Sequence, residues 1–132
     1  MSDLELSRRL GKGDRGGQVR LIQEWLGLHE IHVALDGKFG PATERGVIQF
    51  QRAENLAERG IVGSETFARL VSPMSAALRR IEPAGRSLRE LVLAYAQQHL
   101  ESWPHEVGGD NMGPWVRLYL DGSEGSAWAW CA

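Results

Sequence analysis

The chain is poor in several things that would have set its class at once. It has a single cysteine, Cys131, in 132 residues, so no internal disulfide can form. No apolar run approaches the roughly 20 residues of a membrane-spanning helix. Neither sign of charge prevails: 15 Lys and Arg stand against 17 Asp and Glu, a net charge of −2, which removes the basic field that holds nucleic acid. The start, Met1-Ser2-Asp3-Leu4-Glu5, is acidic and carries no signal-peptide core. Glycine and tryptophan are what it has: 16 Gly, and 5 Trp, of which Trp103, Trp115, Trp128 and Trp130 lie beyond residue 100. A turn-rich first half is followed by a Trp-rich end, at a length that suits one ordinary domain or a small domain plus a piece of another.

The first half is organised around Asp36-Gly37-Lys38-Phe39-Gly40-Pro41-Ala42-Thr43. Asp-Gly makes a tight turn, because Gly accepts a positive φ and Asp bonds back to its own backbone. Phe39 drops one aromatic ring into a polar loop, and Gly40-Pro41 signals a helix start. Val47, Phe50 and Ala53 then follow at helical spacing. The same pattern returns 23 residues later, with Gly60, Val62, Gly63, Thr66 and Leu70 in the places of Gly37, Phe39, Gly40, Thr43 and Val47. An earlier turn, Gly11-Lys12-Gly13-Asp14-Arg15-Gly16-Gly17, leads into Val19, Ile22 and Leu26. Three turn-then-helix units are therefore expected, with helices near 17–27, 41–55 and 64–71, packed by their apolar faces because each is too short to stand alone.

Within these units Gln23 and Gln51 lie beside core positions and read as structural hydrogen-bond partners. Thr43 and Thr66 fall in first turns, where a hydroxyl can satisfy free N–H groups. His29-Glu30-Ile31-His32 has two residues between its histidines, not the three of a zinc-protease helix, and reads as surface histidines in a connecting loop. No metal and no cofactor is expected. Residues 2–7 read as a leader strand or frayed end.

Taken together, Leu10-Gly11, Gly16, Val19, Ile22-Gln23 and Leu26, then Asp36-Gly37, Phe39-Gly40, Thr43, Val47 and Phe50-Gln51, then Leu56, Gly60, Val62-Gly63, Thr66 and Leu70 resemble the peptidoglycan-binding domain 1 family over residues 8–71. The resemblance implies a three-helix module that attaches wall-active enzymes to bacterial peptidoglycan. Gly46 departs from the Ala usual there and is expected to loosen the second helix by up to about 1 kcal/mol. The candidate ligand contacts are Asp36, Gly37, Phe39, Gly40, Thr43, Gly63 and Thr66, since a glycan with scattered carboxylates and amides suits a groove of backbone amides, Asp, Thr and an aromatic edge. Each of these residues also has a structural role of its own.

After Leu70 the character changes. Ser72-Pro73 is expected to break the third helix, residues 74–81 to form a short helix, and 82–86 to be a linker. Ser87-Leu88-Arg89-Glu90 is a capping box that opens a helix with Leu88, Leu91, Val92, Tyr95 and Ala96 on its apolar face. The end of the chain, Glu106-Val107-Gly108-Gly109-Asp110-Asn111, Gly113, Val116 and Tyr119, then Trp130-Cys131-Ala132, is similar to the opening of a papain-like cell-wall hydrolase of the cysteine/histidine-dependent amidohydrolase/peptidase type. That resemblance implies Cys131 as the nucleophile at a helix start. The base-supplying histidine that it implies downstream is absent from these residues, so the chain is expected to bind without cutting, as a truncated form of a cysteine peptidoglycan hydrolase.

The expected fold is thus all-α, with a binding domain at 1–72, a short helix and linker at 73–87, and at 88–132 the helical start of a truncated α+β papain-like domain. The expected function is to bind peptidoglycan, glycan and stem peptide, and to target a cysteine-dependent amidase or endopeptidase to it. A stand-alone wall-binding or protein-interaction module without hydrolase activity is the alternative. With no signal peptide, the chain is expected to be made in the cytoplasm and released by lysis or a dedicated secretion system, to act at the cell wall or periplasm. Trp128 and Trp130 suggest self-association through residues 103–132. Neither nucleic acid nor a membrane is an expected partner.

Overall fold

A computed structural model describes residues 3–128, so Cys131 and Trp130 lie outside the described residues. Among the described residues the chain is helical, with two isolated β-bridges and no strands. Helices α1 (Gly17–Leu28), α2 (Pro41–Ala53) and α3 (Ser64–Leu70) are the three expected units. The bridges tie their turns together: Leu10 pairs with Val62, and Arg15 with Lys38. Phe39 joins the first turn through its backbone, donating to Asp14 O at 2.9 Å and accepting from Gly13 N at 2.9 Å.

Helix α1 is the centre of the molecule. Val19, Ile22 and Leu26 are fully buried as their spacing predicts, but so is Trp25, and Leu21, Glu24, Gly27 and Leu28 are buried as well. A helix apolar on one stripe buries one face; a helix covered all round has neighbours on both. Here α2 and α3 lie against α1, and so does α6 (Pro114–Tyr119), which brings Trp115 to Trp25 with ring centroids 6.4 Å apart.

Several expectations change. The third helix ends ahead of Ser72-Pro73 as expected, but the short helix beyond it, α4 (Ser72–Ala77), starts two residues sooner than residue 74 and stops sooner than 81, with Val71 as the hinge to α3, because Pro in a first helical turn loses no bond. Residues 3–9 are not frayed, since Leu4 and Leu6 pack on the core and Asp3 pairs with Arg117 at 2.7 Å. His29 is not a surface histidine: its ring lies 4.8 Å from that of Phe50, and its Nε2 donates to Leu70 O at 2.8 Å.

Helix α5 (Leu88–Glu101) starts at the expected capping box, with Glu90 N donating to Ser87 Oγ and Ser87 N to Glu90 Oε2. Its packing face is not the expected one. Leu88 and Val92 point outward, at 79% and 57% exposure, while Leu91 and Tyr95 are half-buried. The helix is held to α4 by polar bonds, Gln98 Nε2 donating to Ala77 O and Arg79 O, and Ile81 N to the Tyr95 hydroxyl.

Gly46 has a packing reason for lacking a side chain. A Cβ there would lie 3.1 Å from Val33 Cγ1 and 3.3 Å from Ile31 Cγ2, so the missing methyl lets the 31–33 loop close over α2.

Candidate functional site

Two side-chain clamps hold the turns of the module, and they repeat one another. In the first, the Gln23 carbonyl accepts from Gly37 N at 2.9 Å, and its amide lies 3.1 Å from Lys38 O and 3.1 Å from Thr43 Oγ1. In the second, the Gln51 carbonyl accepts from Gly60 N at 3.0 Å, with its amide 2.9 Å from Ile61 O and 3.1 Å from Thr66 Oγ1. A buried glutamine needs both ends satisfied: each clamp supplies one donor, with two acceptors at Gln51 and three at Gln23, where the Asp36 carboxyl also lies 3.0 Å from the amide. Gly37 and Gly60 share φ 68°, the left-handed conformation that Gly takes without strain. Gln23 and Gln51 are thus the structural partners their positions foretold. Thr43 and Thr66 are not helix caps: Gly40 and Gly63 hold the cap positions without side-chain bonds, and the two hydroxyls serve the glutamines.

This arrangement sorts the candidate ligand contacts. Phe39, Thr43 and Thr66 are buried, at 2%, 3% and 7% exposure, and position the turns from below. Asp36 and Gly37 reach the surface at a depression of about 340 Å³ shared with Arg15, Arg20 and Lys38. The Asp36 carboxyl accepts from Lys38 N and from Gln23 Nε2, which holds its pKa below the ordinary carboxylate value. Gly40 is the cap of α2 and half-buried. Gly63 lies in a second depression, of about 250 Å³, at the start of α3, whose wall Thr66 also reaches.

The second depression holds residues that the pattern of repeats did not single out. Arg9, Arg59 and Ser64 line it, with Ile61 on the wall and Arg9 Nε 3.8 Å from where a Gly63 Cβ would stand. Neither guanidinium has an ion-pair partner among the described residues, whereas Arg8, Arg52, Arg69 and Arg117 are all paired. Arg59 stands one residue before Gly60, as Asp36 stands before Gly37, so the two turns present opposite charge. That reversal was readable in the repeat; the arrival of Arg9 across from it was not, because it depends on the Leu10–Val62 bridge.

Residues 15–70 match the family model described as "Putative peptidoglycan binding domain". That stretch is a domain of this family. Over 67 residues the chain is 39% identical to the zinc D-Ala-D-Ala carboxypeptidase of Streptomyces albus G, a match covering 48% of this chain and 26% of that enzyme. The chain therefore spans about a quarter of the length of this curated relative. Among solved structures, the peptidoglycan-binding protein of Clostridioides difficile is 31% identical with a TM-score of 0.48, covering 53% of this chain and 42% of that one. The Burkholderia AP3 phage endolysin is 30% identical with a TM-score of 0.49, covering 58% and 27%.

The remaining candidates lie beyond the family match. Tyr119 places its hydroxyl 2.7 Å from His99 Nδ1, which joins α6 to α5, and His105 Nδ1 donates to Trp103 O at 2.8 Å. Cys131, the expected nucleophile, lies outside the described residues. The match ends at residue 70 and the curated relative is a zinc enzyme, so the resemblance of residues 106–131 to a cysteine hydrolase stands on its motif alone.

Proposed function

We propose that residues 8–71 bind bacterial peptidoglycan at the α3 depression, and that the protein carries a cysteine-dependent peptidoglycan amidase or endopeptidase to the wall. The observation that supports the binding surface is the unpaired couple Arg9 and Arg59 beside Ser64 and the Gly63 backbone. Guanidinium forks match carboxylates in a bidentate way, and stem peptides carry carboxylates. Ser64 and the backbone groups beside it suit the amides and hydroxyls of the same polymer. The Asp36–Gly37 turn is the second contact region, where a carboxylate and backbone amides meet donors of the stem peptide. Phe39, Gly40, Thr43 and Thr66 act through the shape of the turns they hold.

The hydrolase half of the proposal rests on the motif at 106–131, with Cys131 as nucleophile and no cofactor. In this reading the protein acts at the cell wall after release from the cytoplasm. Trp128, 52% exposed, belongs to a surface through which residues 103–132 self-associate.

Sedimentation with purified sacculi, against cellulose, tests the binding. The chain is expected to pellet with sacculi only, and Arg9→Ala with Arg59→Ala is expected to weaken this by about tenfold or more, one charge-assisted bond being worth about 1.5–3 kcal/mol. Unchanged pelleting of a folded double variant moves the surface elsewhere; a wild-type chain that stays in solution overturns the function and leaves the protein-interaction reading. Cys131→Ala is expected to abolish any muropeptide release. Release that survives it overturns the cysteine chemistry.

A further inference from the structure

The two repeats share a scaffold and differ in what they show to solvent. Gly37, Gly40 and Thr43 recur as Gly60, Gly63 and Thr66, and Gln51 repeats the bonds of Gln23. The positions around them are not kept: Asp36, Lys38, Pro41 and Ala42 are answered by Arg59, Ile61, Ser64 and Glu65. All four of these replacements are exposed, and all four line the α3 depression of about 250 Å³. The residues that hold the turn are thus repeated, while those that face the open space are particular to the second repeat.

The depression then carries both signs of charge. Arg9 and Arg59 bring two guanidiniums and Glu65 a carboxylate, and none of the three is ion-paired among the described residues, with one another or with any other group. Opposite charges around one small space gain by closing on each other. Here they stay apart, with Leu56, Ala57 and Ile61 as apolar lining between them and Ser64 adding a hydroxyl. A ligand that satisfies all three must itself carry an anion and a cation close together. The volume falls below the roughly 300–1,000 Å³ of sites for drug-sized molecules, so it suits the end of a single residue.

We propose that the depression takes the free end of a diamino dicarboxylic acid side chain in the stem peptide, where an ammonium and a carboxylate sit on one carbon. The carboxylate meets the forks of Arg9 and Arg59, the ammonium meets Glu65, and the methylenes of the side chain lie along Ile61 and Leu56. The proposal rests on the peptidoglycan reading and narrows it. A side chain that ends in an ammonium alone lacks the group that the arginines hold, and one that is cross-linked has lost its free ammonium. The module is in this way a reader of stem peptides that are not yet joined to a neighbour.

The full chain is titrated by calorimetry with three stem tripeptides that differ at the last side chain. One ends in diaminopimelate, with both charges on one carbon; one ends in lysine, with the ammonium alone; the third is the first with that side-chain ammonium acetylated. The first is expected to bind at least tenfold tighter than either other. Glu65→Gln is expected to remove the preference for the free over the acetylated peptide, and Arg9→Gln with Arg59→Gln the preference over lysine, each with the helical circular dichroism unchanged. Equal affinity for the three peptides, or a preference for the free ammonium that survives Glu65→Gln, overturns the subsite. A chain that pellets with sacculi yet ignores all three peptides overturns the subsite and leaves the function; a chain that does neither overturns both.

Discussion

Helix α1 is covered on two sides by different chemistry. Toward α2, Leu26 approaches Gly46 closely, and the polar residue between is Gln23, neutral and satisfied by the turn it holds. Toward the C-terminal segment, Trp25 meets Trp115, Gly27 lies against Val107, and the polar residue is Glu24, charged and 2% exposed. Arg117 answers it, reaching Glu24 at 2.7 Å, Asp3 at 2.7 Å and Glu124 at 2.9 Å. Burial pulls the Arg117 pKa down, but bonds and attraction from Glu24 and Asp3 together outweigh it and the net direction is up. A neutral clamp tolerates small errors of docking, whereas the buried Glu24 carboxylate, with Arg20 at 3.6 Å on its own helix, needs the Arg117 guanidinium in one place to complete its bonds. The second side therefore fixes a register where the first fixes a turn, and it joins three stretches distant in sequence.

The comparison breaks most visibly at Arg117. Arg117→Ala leaves the buried Glu24 with only the longer contact to Arg20, at 3.6 Å, and strands Asp3, and is expected to cost about 3 kcal/mol in urea unfolding. Replacing both, Arg117→Met with Glu24→Leu, is expected to recover most of that loss, since a buried pair and a packed apolar pair are often close in stability. A double variant no better than the single one would show that Asp3 and Glu124 carry the site.

Next come the clamps. Gln51→Ala strands the Gly60 N–H and is expected to cost about 1–3 kcal/mol, and Gln23→Ala a similar amount at Gly37. Hydrogen exchange should show each loss at its own turn, with the Trp115 contact intact; spreading to α6 would mean the two sides of α1 are coupled.

Smaller still is Gly46→Ala. Its helix gain of up to about 1 kcal/mol is opposed by contacts at 3.1 and 3.3 Å with Val33 and Ile31, so net stability is expected to change by less than about 1 kcal/mol. A clear stabilisation by calorimetry would show that the 31–33 loop yields freely.

The mildest effect is of pH. Asp14, held by Arg8, Asp36 by Lys38 N, Glu58 by Arg52 and Glu90 by Ser87 N all have lowered pKa values. A carboxyl depressed on folding stabilises above its unfolded value, near 4, and loses that contribution as pH falls through the folded one. Stability is expected to be level from about pH 5 upward with respect to these groups and to decline below about pH 4. An increase in stability on acidification would contradict it.

What the sequence by itself determined is local and periodic. The turn dipeptides, the Pro and Gly at helix starts, the Ser87–Glu90 box and the stripe Val19, Ile22 and Leu26 act within a few residues of one another, so three helical units and their order could be read directly. The glutamines were legible for the same reason. A second stripe on α1, Leu21, Trp25 and Leu28, was present at spacings of four and three, and passed over because one buried face already accounted for the helix. Only the tertiary structure decided what covers it. Trp115 and Arg117 meet α1 from about 90 residues away, the Leu10–Val62 bridge brings Arg9 to the depression that Arg59 lines, and α5 turns Leu88, Leu93 and Leu100 outward while binding α4 through Gln98. Contacts of that kind depend on where a chain returns in space. A pattern of residue types gives the face that must be covered, but not the segment that covers it.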